Sequence, residues 1–207
     1  MMNKGGGASA LLGERVRINV SAVGLQSGST GNSTLLDSPL LALFCSVKCP
    51  GSIILKTFDL MKELRDKQVG VISGFHAPMD KECLDILLRG KGPVVWCPAR
   101  SIEKMRLSAA YRQAIEAGRL LLLSPFPPEQ SRISAERAEL RNRFVAGLAK
   151  RVFVAYASPG GKVEALCREL AAAGKPLFTF EDPHNANLLS AGARPVQTPG
   201  ELVADRQ

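Results

Sequence analysis

The chain has 207 residues, of which 45% are apolar and 5% aromatic, and its formal net charge is +8. That length and apolar share suit one globular domain with a mostly aliphatic core, and no apolar run reaches the roughly 18–20 residues of a membrane span. Gly5, Gly6, Gly7 and Ser9 break up the start where a secretion signal needs an apolar stretch. Five scattered cysteines do not make a disulfide framework, so the expected compartment is the cytoplasm. The basic balance favours polyanions: nucleic acid, an anionic membrane surface or phosphorylated ligands.

Residues 1–34 are rich in Gly, Ser, Asn and Thr and hold one strand-like stretch, Val16 to Val20. They read as a flexible or irregular arm, followed by a single domain over 35–207. From Leu35 short apolar runs alternate with amphipathic ones. The predicted strands are 40–45, 69–73, 93–97, 120–124, 152–156 and 176–180; the predicted helices are 51–66, 79–89, 101–117, 134–149 and 161–173. Gly118 and Gly174 stand where helices end in a left-handed residue. Short strands without polar alternation are buried on both faces, and strands alternating with helices imply crossovers into a parallel sheet. The expected fold is therefore α/β, a Rossmann-like three-layer sandwich with a mostly parallel sheet of about six to seven strands.

In such sheets ligands bind beyond the carboxyl ends of the strands. Those ends are punctuated by Ser46, Ser73-Gly74, Cys97-Pro98, Ser124-Pro125 and Ser158-Pro159-Gly160-Gly161. Small residues there let a ligand reach the backbone, and the helix starts that follow offer free N–H groups to an anion. Lys162 adds charge beside Gly161. Asp80 opens a helix, either as a first-turn cap or as an acceptor for a ribose hydroxyl or a base. In the helix that Ser134 caps, Arg137 and Arg141 lie seven residues before Phe144 and Leu148, about two turns, so each shares its partner's face. The inner stripe turns from apolar to cationic toward the ligand edge, where arginine forks suit phosphate. His76 and His184 are isolated, Cys45 and Cys49 lack a second ligand pair, and neither a metal site nor a catalytic constellation is expected. No cofactor is expected either.

The stretch LLLLSPFPP…LRNRFVAGLAKRVFVAYA over 120–157 resembles the core of the DNA-processing family called DprA or Smf. Pro125-Phe126-Pro127-Pro128 and Arg141-Asn142-Arg143-Phe144-Val145-Ala146-Gly147-Leu148 stand at the family's E-Y/F-P-P and R-N-R-I-I-A-G-L positions. VISGFHAPMD over 71–80 is similar to V-V-S-G-x-A-x-G-I-D, FCSVKCPGS over 44–52 to V-G-S/T-R-x-P, and NANLLSAGARPV over 185–196 to N-x-L-I-x-x-G-A. Cys45, Val47 and Pro78 replace the family's Gly, Arg and Gly. The resemblance implies an extended Rossmann-like domain, here standing alone, that binds single-stranded DNA as a dimer and delivers a RecA-type recombinase, as in natural transformation. It further implies that Arg141 and Arg143 contact DNA phosphate while Ser46, Lys48, Ser73 and Gly160 line the same pocket.

An alternative comes from the lysine-decarboxylase-like phosphoribohydrolases of the LOG family, whose P-G-G-x-G-T-x-x-E begins here as Pro159-Gly160-Gly161. Val163 and Glu164 occupy its Gly-Thr places, and the acid–base Glu is replaced by Leu166 or Cys167. A non-catalytic nucleotide sensor, or a phosphoribohydrolase, on this fold is thus the second reading.

Overall fold

The computed structural model describes residues 28–202; the stretch Val16 to Val20 lies outside them. Among the described residues eight strands form one sheet. They are β1 (Ser29–Thr30), β2 (Leu40–Cys45), β3 (Gly70–Ser73), β4 (Val94–Trp96), β5 (Leu120–Leu123), β6 (Arg151–Tyr156), β7 (Leu177–Phe180) and β8 (Arg194–Val196). Their spatial order is β1-β5-β4-β3-β2-β6-β7-β8. Only the β1–β5 pair is antiparallel. The helices are α1 (Gly51–Asp66), α2 (Pro78–Leu88), α3 (Ala109–Glu116), α4 (Ala135–Leu148), α5 (Lys162–Ala172) and α6 (Ala186–Ser190). No helix among the described residues is long and apolar enough to cross a membrane.

The expected three-layer α/β fold is present, with two more strands than six. The additional ones, β1 and β8, are two- and three-residue edge strands, too short to stand out as apolar runs. Each inner strand is apolar on both sides. In β2, Leu41 and Leu43 join the core under α1, α2 and α3 with Ile53, Leu64, Leu84 and Phe153. Leu40, Ala42 and Phe44 join the opposite core, under α4, α5 and α6, with Val145, Val154, Leu166 and Leu188. The first three crossovers carry the chain outward from β2 to β5. The helix α4 then returns along the other face and lays β6 against β2, so the order reverses there.

One predicted helix begins eight residues late. Ser101 to Leu107 is irregular: the Ser101 amide is committed to the Gln130 carbonyl at 2.9 Å, and Ser108 caps α3 by accepting from the Tyr111 amide. Ile102 and Met105, whose spacing mimicked a helix, reach the core from this loop. The caps at Ser134, Gly118 and Gly174 are as expected, with φ of +69° and +72° at the two glycines.

Residues 28–31 seal one edge of the sheet. Thr30 registers with Leu122, and the Ser124 amide donates to the Gly28 carbonyl at 3.0 Å. Gly31 has φ +116°, and a Cβ there would stand 2.5 Å from the Leu120 carbonyl oxygen. Gly31→Ala is expected to lift β1 from β5 at a cost of about 1–2 kcal/mol. Faster hydrogen exchange at the Ser124 amide is the readout; unchanged protection would refute this account of the edge.

Candidate functional site

The strand order reverses between β2 and β6, and such a reversal opens a crevice at the carboxyl ends. A register shift between Phe44 and Cys45 loosens the last step of β2. The next residue, Ser46, ties both sides of the crevice together. Its amide donates to the Tyr156 carbonyl at 2.9 Å, and its hydroxyl accepts from the Ser158 amide at 2.9 Å. Beyond it Val47 is 76% exposed. Lys48 is exposed and has no ion-pair partner among the described residues. The loop thus holds a cation out on a fixed base.

The glycine turn after β6 is closed on itself. Gly160, at φ +69°, donates its amide to the carboxylate of Glu164, whose other oxygen accepts from Arg168 at 2.8 Å. The Arg168 guanidinium and then the Gly160 amide hold this carboxyl below its ordinary range. Gly161 is the N-cap of α5 and Lys162 its first residue; Lys162 pairs with Glu139 of α4. Lower on the same seam Arg143 makes two bonds to Glu169, at 3.0 and 2.9 Å. Arg137 donates to the Arg132 carbonyl. Lys162 and Arg143 thus lie along the seam between α4 and α5, each held by a half-buried acid of the neighbouring helix, while Arg137 shares the face of Arg141, four residues on.

One strand over, the rim is built from buried polar groups. Ser73 spends its hydroxyl on the Leu43 carbonyl at 2.8 Å. Arg141, only 6% exposed, runs from α4 under the ends of β3 and β4. Its Nη1 donates to the Cys97 carbonyl at 2.9 Å and its Nε to the Asn142 side chain at 2.8 Å. Gly74 makes room for it: a Cβ there would sit 1.4 Å from Nη1. Phe75 follows at φ +42°, a strained value for a residue with a side chain. Burial of its ring in the core and the 3.0 Å bond from Trp96 Nε1 to the Gly74 carbonyl fix that conformation, which leaves His76 exposed at the rim.

Asp80 faces this brace from α2. It takes the capping role, with Oδ2 accepting from the Ala77 amide at 3.4 Å, while Oδ1 is buried without a hydrogen-bond partner. Burial pushes its carboxyl up to about 6, against the opposing pull of the Ala77 amide and of Arg141. Burial also lowers the Arg141 guanidinium, offset in part by Asp80, and lowers the His76 imidazole, with Arg141 and Lys81 adding to it.

The structure therefore divides the predicted residues among three places. Ser46, Lys48, Gly160 and Gly161 meet at the crevice; Ser73, Gly74, Asp80, Arg141 and Asn142 form the floor beside it; Arg143 and Lys162 line the α4–α5 seam, and Arg137, near the start of α4, is spent on the Arg132 carbonyl. Sequence reading missed Glu164, Glu169, the Trp96 indole and the Cys97 carbonyl as partners. Only Glu164 carried a signal, as an acid in the third position of a helix that starts after Gly161. Among the described residues no three His, Cys, Asp or Glu side chains lie together as a metal site. A cavity of about 510 Å³ lies at the opposite edge, among Arg168, Gly174, Lys175, Leu177, Gly192 and Arg194. Lys175 there is already bound to the Ala149 carbonyl.

The family model described as DNA recombination-mediator protein A matches residues 29–205. No curated protein sequence matches the chain. Among solved structures, DNA processing protein A from Streptococcus pneumoniae superposes with a TM-score of 0.71 at 21% identity, over 86% of this chain and 65% of that one. The chain thus spans just under two thirds of that relative. DNA processing protein A from Helicobacter pylori, described for its single-stranded DNA binding mode, gives 0.69 at 20% identity, over 84% and 82%. The molybdenum cofactor carrier protein from Chlamydomonas reinhardtii gives 0.51 at 11%, over 74% and 84%. Identities this low speak for a shared fold alone.

Proposed function

The chain belongs to the DNA recombination-mediator protein A family, a family of DNA-processing proteins, and from that membership we propose that it binds single-stranded DNA along the carboxyl-terminal rim of its sheet. The observation that carries the reading is the β2–β6 crevice, where Ser46 fixes a loop that holds Lys48 free in solvent. In this reading Lys48 and Ser46 take one phosphate at the switch point. The strand then tracks past Gly160 and Gly161 to Lys162, Arg143 and Arg137. The ion pairs of Lys162 with Glu139 and of Arg143 with Glu169 are exposed enough to be exchanged for phosphate, since such pairs contribute little in water. Arg141, Asn142, Ser73 and Gly74 support the floor. Phe75 and Phe126 are 1% and 4% exposed, so they offer no stacking face, and recognition rests on phosphate rather than base.

The protein acts by binding and not by catalysis in this reading. It works in the cytoplasm, pairs with a second copy, and hands DNA to a RecA-type recombinase. The nucleotide-sensor and phosphoribohydrolase alternative is weaker, because it needs the Gly160 amide that Glu164 already occupies.

The test is fluorescence anisotropy of a labelled single strand of ~30 nucleotides at two salt concentrations, with a duplex control. Salt-sensitive binding that prefers the single strand is expected. Lys48→Glu is expected to weaken it by about tenfold and to flatten the log–log salt slope by about 0.7, the loss of one phosphate contact. Lys48 supports no other group, so the fold is kept. An absence of binding even at low salt would overturn the reading, and an unchanged slope would remove Lys48 from the site.

A further inference from the structure

Of the chain's two histidines, His184 lies in the loop that follows β7, and that loop is tied to the crevice by its asparagines. Asn185 donates to the Ala155 carbonyl at 2.9 Å and Asn187 to the Ala157 carbonyl at 3.1 Å. The next residue, Ser158, is the one whose amide donates to Ser46. From α1, which begins just after the Lys48 loop, Lys56 donates to Asp182 Oδ2 at 2.6 Å. The β7 loop is therefore fixed from both sides. The Asp182 side chain is 8% exposed, whereas the His184 ring is 53% exposed.

That ring is held in one orientation. Asp182 Oδ1 accepts from the His184 amide at 3.1 Å and stands 2.8 Å from Nδ1. The Lys56 ammonium, and then the His184 amide and ring, hold the Asp182 carboxyl below its ordinary range. A carboxylate only accepts, so the proton between the two groups belongs to Nδ1. Nε2 has no hydrogen-bond partner among the described residues. In the neutral ring Nε2 is a bare lone pair, which repels a phosphate oxygen; in the imidazolium it is a charged donor, which binds one. The charged groups around the ring are Asp182, Lys56 of α1 and exposed Glu181. Lys56 and Asp182 offset each other, so a proton taken up by His184 adds a whole positive charge to the rim.

We propose that His184 is a further phosphate-contact residue, which engages the single strand on the β7 side of the crevice only as the imidazolium. Lys48 then takes phosphate on the β2 side and His184 on the β7 side, with the end of β6 between them. The contact exists only if the rim binds single-stranded DNA, and so rests on that reading.

The test is anisotropy of the labelled single strand over a salt series at about pH 8 and about pH 5.5, on either side of the ordinary histidine value near ~6.5, with the full chain and with its His184→Gln variant. Glutamine keeps a donor for Asp182 and cannot take a charge. In the natural chain the log–log salt slope is expected to steepen by about 0.7 at the lower pH, one more phosphate contact, and affinity to rise about tenfold beyond any rise in the variant. His76 and Asp80 titrate in both proteins, so the difference between the two belongs to His184. Equal responses would overturn the role of His184 and leave the DNA site standing. An absence of binding at both pH values would overturn the DNA site, and this contact with it.

Discussion

Gly74→Ala is expected to destabilise the protein by about 3 kcal/mol, far more than one methyl group ordinarily costs. The backbone at Gly74 is not in the left-handed region, so the conformation itself tolerates a side chain. The cost arises entirely from the Cβ, which would stand 1.4 Å from Arg141 Nη1 and 2.0 Å from its Cζ. Arg141 has nowhere to go without leaving the Cys97 carbonyl without its donor and Asp80 without a nearby cation. A cycle of four proteins tests this in urea. Gly74→Ala is costly alone, but in an Arg141→Ala background it is expected to cost less than about 1 kcal/mol. Additive losses would show that the glycine is needed for some other reason. Arg141→Ala is itself expected to lose about 3–5 kcal/mol, and for that reason it is a poor probe of ligand contact.

The second large effect depends on pH. Asp80 holds its proton to about pH 6 in the folded protein, against an ordinary value of 3.8. Between those values the folded state binds more protons than the unfolded one, so this carboxyl costs stability as pH rises. The cost is absent below about pH 3.8, grows through the window and is complete above about pH 6, where it reaches about 3 kcal/mol. Asp80→Asn keeps an oxygen for the Ala77 amide and cannot ionise. The variant is expected to gain on the natural protein by about 2 kcal/mol between about pH 4.5 and pH 7.5, read as the difference between two urea midpoints at each pH. A difference that does not change with pH would mean that the buried oxygen titrates normally.

Most of the sheet was legible because its strands are short and wholly apolar, a pattern that only a strand covered on both faces produces. Leu40 to Cys45 and Leu120 to Leu123 appear where they were expected. The failures have local causes. Ile102 and Met105 copied a helical spacing while serving the core from a loop, and α6, with five residues, was too short for any periodicity to register. At the site, the seven-residue offset to Leu148 placed Arg141 on the inner face correctly. Whether its guanidinium ends in solvent or in the floor depends on Gly74 and on the Cys97 carbonyl, far away in sequence. The same holds for Arg143, whose partner Glu169 lies on the next helix.

The reversal of strand order has a consequence for how the protein is made. Leu41 of β2 pairs with Arg151 of β6, and everything from β2 to β5 precedes that contact in the chain. A nascent chain can assemble its first four parallel strands with the helices between them while the central strand still has one edge open. Closing that edge joins segments far apart in sequence, the step that topology makes slow. The crevice thus cannot form before β6 has been made, and a chain cut short after β5 has strands but no crevice.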